Sequence, residues 1–172
     1  QRIEELTSKD TQTGFFNRQA FMERLDALIG GEEHKDKNHT LVQLSITNYA
    51  DMRESCGFGC AEQMLTEVAS VLAATAARAH TIARFGDHDF MVLCDDEEPA
   101  MEIAERCLHK LRGQAFKSIR DSLIKPVYSV GVTRADKGLE ISAHELVNRS
   151  CRATGIARSE GENRVVFYDE QT

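Results

Sequence analysis

The chain has 172 residues, 41% of them hydrophobic and 28% charged, with a formal net charge of −7. That length allows one domain with a substantial core, and the acidity argues against a nucleic-acid backbone or an anionic membrane surface as partner. No apolar run approaches the roughly 20 residues of a membrane helix, and neither Met nor a signal peptide opens the chain, so it reads as cytoplasmic and as excised from a longer protein.

The predicted elements run as follows in chain order. Arg2 to Lys9 carries Ile3 and Leu6 on one side, as expected at the end of an incoming connector helix. Asn17 can cap a helix that holds Phe21, Leu25, Leu28 and Ile29 on one face, and Gly30-Gly31 stops it. EEHKDKNH (32–39) is expected to be a solvated loop with His34 and His39 on the surface. Leu41 to Ile46 reads as a strand facing inward at Val42, Leu44 and Ile46. Cys60 to Ala77 reads as a long helix with Met64, Leu65, Val68 and Leu72 on its buried face. Two short apolar runs flanking RFGDHDF (84–90) then predict a hairpin, and an acidic run at Asp95–Glu98 predicts a solvated turn. Pro99 starts a helix with Ala104, Cys107, Leu108 and Leu111 inward; PVYSVGVT (126–133) alternates as a strand; Ile141 to about Arg158 is helical; and VVFY (165–168) closes with a strand. Together these give one α/β domain with a central mixed sheet and helices on its faces.

Asp87, His88 and Asp89 at a hairpin tip can hold a metal ion, deprotonate a substrate, or form a polar turn. The five scattered cysteines are expected as reduced thiols, buried or half-buried. Cys56 and Cys60 stand four apart, but no second Cys/His pair follows at zinc-site spacing, so no zinc site is expected there. Asp10 and Arg18 are expected to pair across the start of the domain. His109 and His144 are expected on helix surfaces.

Four stretches in order resemble one family. DTQTGFFNR (10–18) is similar to the D-x-L-T-G-L-x-N-R opening of GGDEF domains, the diguanylate cyclases. RFGDHDF stands where that family has R-x-G-G-D/E-E-F. YSVGVT (128–133) resembles its S-I-G-V strand, and ARSEGENRV (157–165) its closing A-K-x-x-G-R-N-x-V. The resemblance implies a palm-like α+β sandwich related to nucleotidyl cyclases. In the family, two domains meet as a dimer, each holding one GTP, and join the nucleotides into cyclic di-GMP with the help of divalent cations.

Carried over residue by residue, the family's metal positions fall on Ser45, Ile46, His88 and Asp89, and its catalytic acid on Asp89. Ser45 is neutral, His88 is a nitrogen base poorly suited to magnesium, and only Asp89 keeps a carboxylate. Thr47 replaces a further common acidic residue. The nucleotide positions correspond to Gly86, Asp87, Arg53, Glu62 and Arg158. Asp87 stands where a second glycine supplies positive φ, a conformation Asp adopts better than most residues. Arg53 and Glu62 occupy the guanine-reading places, and Arg53 offers only donors. Arg158 keeps one phosphate-binding charge, while Glu162 reverses the other. The family's inhibitory R-x-x-D falls at Ala77–His80, reading ARAH, which does not rebuild it.

The resemblance therefore implies a degenerate GGDEF domain over 10–172 behind a connector at 1–9. Its arginine-plus-FGD form and NR opening are similar to the GGDEF domain of FimX-type GGDEF-EAL regulators of type IV pili and twitching motility. The expected role is a catalytically inactive regulatory module between an upstream sensor and a downstream EAL domain, with self-association as a further mode. No cofactor is expected, and magnesium or manganese enters only with residual cyclase activity. Neither GTP, nucleic acid nor membrane is an expected partner. Two alternatives stand beside this reading: a weakly active diguanylate cyclase, and a domain that senses GTP without cyclising it.

Overall fold

The computed structural model describes residues 8–95 and 99–170. The connector reading over Arg2–Lys9 lies largely outside these residues; inside them, Lys9 pairs with Phe16 in an antiparallel bridge. Of the acidic run, only Asp95 is described.

Helix α1 (Arg18–Ile29) begins where Asn17 accepts the Ala20 N–H at 2.9 Å, and Gly30 caps its end. There follow α2 (Glu32–Asp36), β1 (His39–Ile46), α3 (Tyr49–Cys56), α4 (Phe58–Thr75), β2 (Thr81–Arg84), β3 (Asp89–Asp95), α5 (Ala100–Arg112), a 3-10 turn at Lys117–Ile119, β4 (Tyr128–Ala135), α6 (Ala143–Glu160) and β5 (Arg164–Phe167). Ser142 caps α6 by accepting the Glu145 N–H. The five strands form one mixed sheet in the order β2-β3-β1-β4-β5, with β4 and β5 parallel and every other pair antiparallel.

β1 is buried along its whole length, because helices cover both faces of the sheet. Val42, Leu44 and Ile46 join Phe90, Val92, Val130 and Val132 under α4 and α5. Leu41 turns the other way, with Met91 and Leu93, against Phe21 and Leu25 of α1 and Leu146 of α6. On that second face Gln43 accepts the Ser150 hydroxyl at 2.8 Å. Here α6 passes so close to β4 that a Cβ on Gly131 would lie 2.5 Å from Thr154 N and 2.6 Å from Ser150 O, and would also meet Thr154 Oγ1.

Three expectations need correcting. EEHKDKNH is not a solvated loop: it contains α2, and His34 and His39 are buried, 3% and 1% exposed. Asp10 does not pair with Arg18; its carboxylate accepts from Thr13 and Arg84, while the Arg18 guanidinium lies over the Phe85 ring. Among the thiols, Cys151 is exposed. The remaining four are buried or half-buried, and burial, with Cys56 beside it, pushes the Cys60 thiol up to about 11. α3 was not foreseen at all.

Candidate functional site at the hairpin tip

The β2–β3 hairpin closes without left-handed backbone at Asp87: among the described residues Asn163 is the one non-glycine with positive φ. Instead, Phe85 N–H and Gly86 N–H both donate to the Asp89 carbonyl, at 2.8 and 3.3 Å. Gly86 packs closely on the Asp89 side chain: a Cβ there would stand 2.8 Å from Asp89 Oδ2, and the carboxylate would have to turn aside. Arg84 holds the tip. Its guanidinium donates to the Asp87 carbonyl at 2.7 Å, the Gly86 carbonyl at 3.3 Å and Gln12 Oε1 at 2.6 Å, and lies 3.4 Å from the Asp10 carboxylate. It reaches that segment because Phe16 pairs with Ala83, which lays the opening residues along β2.

Strand register brings the expected metal positions together. Ser45 faces Asp89 across the β1–β3 pair, and Ile46 N–H donates to the His88 carbonyl at 3.0 Å. Ser45, fully buried, has its hydroxyl 3.4 Å from His88 Nδ1. Asp89 Oδ1 is 3.7 Å from that same nitrogen. Because both contacts fall on one ring nitrogen, the trio cannot relay a proton from serine through histidine to aspartate as a nucleophilic triad does. Thr47 is likewise engaged, its hydroxyl 2.6 Å from that of Ser129.

Tyr49, which the sequence reading passed over, sits at the centre of the site. The His88 ring stacks on it, centroids 5.6 Å apart and planes inclined by 23°, and the Arg53 guanidinium lies 5.7 Å from the Tyr49 ring centre. Burial raises the Tyr49 phenol above its usual value, and Arg53, Arg84, Glu62 and Asp87 all act on it electrostatically. An aromatic placed four residues before Arg53 was the available signal. Gln12 was also missed: its amide donates to the Glu62 carbonyl at 2.8 Å while its oxygen accepts from Arg84, joining α4 to the tip. Arg158 is exposed in the last turn of α6, and its side chain makes no hydrogen bond or ion pair among the described residues. Glu162 lines a cavity of about 920 Å³ with Asn48, Tyr128 and Asn163, and with the cations Arg112, Arg120 and Lys125.

A pair of magnesium or manganese ions needs several hard, preferably anionic oxygens. The positions Ser45, His88 and Asp89 offer one carboxylate, a serine hydroxyl engaged with His88, and an imidazole, and Asp87 is the other carboxylate of the tip. Among the described residues no three His, Cys, Asp or Glu side chains converge to hold a metal. The residues present do not fit a two-cation site.

The model of the family "Diguanylate cyclase, GGDEF domain" matches residues 7–164. The chain is 24% identical over 173 residues to the cyclic di-GMP phosphodiesterase PdeB of Shewanella oneidensis, covering 99% of this chain and 19% of that protein. It is 26% identical over 169 residues to diguanylate cyclase A of Treponema denticola, covering 95% of this chain and 45% of that protein. It thus spans less than half the length of these curated relatives. Its fold matches the crystal structure of the FimX GGDEF domain from Pseudomonas aeruginosa with a TM-score of 0.81, at 24% identity, covering 92% of this chain and 98% of that one. No helix among the described residues is long and apolar enough to cross a membrane. With the hairpin and the closing strand in one mixed sheet and the family model matched over residues 7–164, the chain belongs to the diguanylate cyclase GGDEF domain family.

Proposed function

We propose that this GGDEF domain is a non-catalytic regulatory module of a larger bacterial cyclic di-GMP signalling protein. The observation that carries the reading is the contact of Ser45 with His88 beneath the Tyr49 ring. Two positions that serve cations in the family are turned toward each other, and Asp89 is left as the lone carboxylate among the expected metal positions. The module acts in the cytoplasm through packing and self-association, residues 10–172 forming the domain and 1–9 a connector. It lies between an upstream sensor and a downstream EAL domain, and the FimX-type likeness favours control of type IV pili and twitching motility. Incubation of the purified chain with GTP and magnesium or manganese should yield no cyclic di-GMP. Turnover that disappears in Asp89→Ala overturns the proposal.

One observation favours a second reading, a weak manganese-dependent cyclase: Asp89 and Gly86 keep their place and close packing at the tip. The same assay separates the two. A third role, sensing GTP without cyclising it, rests on the surviving charge of Arg158, and calorimetry at millimolar GTP tests it: absence of heat rules it out.

A further inference from the structure

The end of β1 opposite the hairpin tip carries a cluster that the proposed function leaves unused. His34 and His39, both buried, place their Nδ1 atoms 3.3 Å apart, with ring centroids 5.4 Å apart. His34 Nε2 lies 3.2 Å from the Leu139 carbonyl. A carbonyl only accepts, so this nitrogen carries the hydrogen, and the Nδ1 of a neutral His34 presents a lone pair. His39 Nε2 lies 3.5 Å from Asp95 Oδ1, and neither atom has a hydrogen-bond partner.

Three links therefore run from the Leu139 carbonyl through His34 and His39 to Asp95, and three links need three hydrogens. Two neutral imidazoles supply two. One added proton completes the series, as an imidazolium beside the Asp95 carboxylate. A second proton would set two buried cationic rings with nitrogens 3.3 Å apart, where little solvent screens their repulsion.

The same spot is an attachment point. His34 is the one buried residue of α2. The loop after β4 is tied to it by Gly138 N–H donating to the His34 carbonyl at 3.1 Å, and to the neighbouring Asn38 side chain by Lys137 N–H at 2.6 Å. Asp95 is one-third exposed and lines a cavity of about 370 Å³, which gives protons a way in.

We propose that the His34–His39 pair is a pH-operated latch: it holds α2 and the loop at 136–141 against the sheet while the pair carries at most one proton, and releases them when both rings are charged. The charged and titratable groups that act on His39 are Asp95 at the end of β3 and His34 on α2, both beside its ring, with Glu33 on α2 and His80 just before β2. Asp95 and Glu33 favour its charged form, and the two histidines oppose it. Burial is the largest influence and leaves the His39 pKa below its ordinary value. The open form thus binds protons more readily than the closed one, so the latch is fully closed above about pH 6.5 and weakens as pH falls below that.

Hydrogen-exchange mass spectrometry of the whole chain between about pH 7.5 and 5 tests this, with rates corrected for intrinsic pH dependence. Peptides covering 32–40 and 136–141 should lose about tenfold protection on acidification while the centres of β1, β3 and β4 keep theirs. In His34→Gln, whose side chain cannot charge, the step should vanish. Should that variant fail to fold, imidazole nitrogen NMR of the unsubstituted chain serves: at pH 7.5 His34 should be the Nε2–H tautomer, and its Nδ1 hydrogen bond with His39 should be lost by pH 5. Unchanged protection down to pH 5, exchange rising everywhere at once, an equal step in His34→Gln, or a His34–His39 bond that persists at pH 5 each overturns the latch.

Discussion

Replacing Gly131 by Ala should be among the most damaging single-methyl changes in this domain. The added Cβ would stand 2.5 Å from Thr154 N and 2.6 Å from Ser150 O, roughly 1 Å inside ordinary contact. Both are backbone atoms of α6, so no rotamer change relieves the clash and helix and sheet must separate. Separation would also disturb the buried Ser150 hydroxyl bridge to Gln43 and the Thr154 hydroxyl bond to the Ser150 carbonyl. Overpacking ordinarily costs about 1–3 kcal/mol, and a backbone-limited site belongs at the top of that range, about 3 kcal/mol. For a chain of this size that lowers Tm by about 6–12 °C. Gly155→Ala is the matched control on the same helix: its Cβ meets nothing within 4 Å, and helix propensity alone should stabilise by about 0.5–1 kcal/mol. Urea denaturation of the two variants beside the unsubstituted chain measures both. A loss below about 1 kcal/mol for Gly131→Ala, or equal effects at the two sites, refutes the idea that β4 and α6 are in backbone contact.

Arg84→Met should cost about 2 kcal/mol, since it strips charge-assisted bonds from a side chain only 15% exposed, and denaturant midpoints will read it. Hydrogen exchange in the same variant should rise first at residues 85–89. For Asp10, burial alone would raise the pKa, but hydrogen bonds from Thr13 and the charge of Arg84 outweigh it and hold the carboxyl below its ordinary value. The resulting stability is complete above about pH 4 and lost as pH falls through the lowered pKa, so an acid titration of Asp10→Asn should show a shallower decline than the unsubstituted chain. Combining Ser45→Asp with His88→Glu should restore three carboxylates and produce manganese binding by calorimetry. It should also cost about 1–3 kcal/mol of stability when no metal is added, because position 45 is fully buried.

Strong periodicity made most of the scaffold legible. The Asn17 cap and Gly30 stop of α1, the inward Val42-Leu44-Ile46 face and the apolar stripe of α5 all follow from spacing that only one local structure satisfies. α3 escaped because its eight residues bury just Tyr49 and Met52, too few to show a stripe. The burial of His34 and His39 was illegible for a different reason. In a string of Glu, Lys, Asp and Asn, nothing local says that two rings five residues apart will fold onto each other. The partner of Asp10 was misjudged because proximity along the chain favoured Arg18, whereas the Phe16–Ala83 bridge delivers Arg84 from β2. At the tip, motif likeness located Ser45, His88 and Asp89. The stacking of Tyr49 on His88 needed the fold, which brings the start of α3 beside the hairpin.

One guanidinium meets both the opening segment, through Asp10 and Gln12, and the rim of the hairpin, through Gly86 and Asp87. These two parts of the molecule consequently share a single rigid strut. A displacement of residues 10–12 therefore reaches the rim of the hairpin through one planar group.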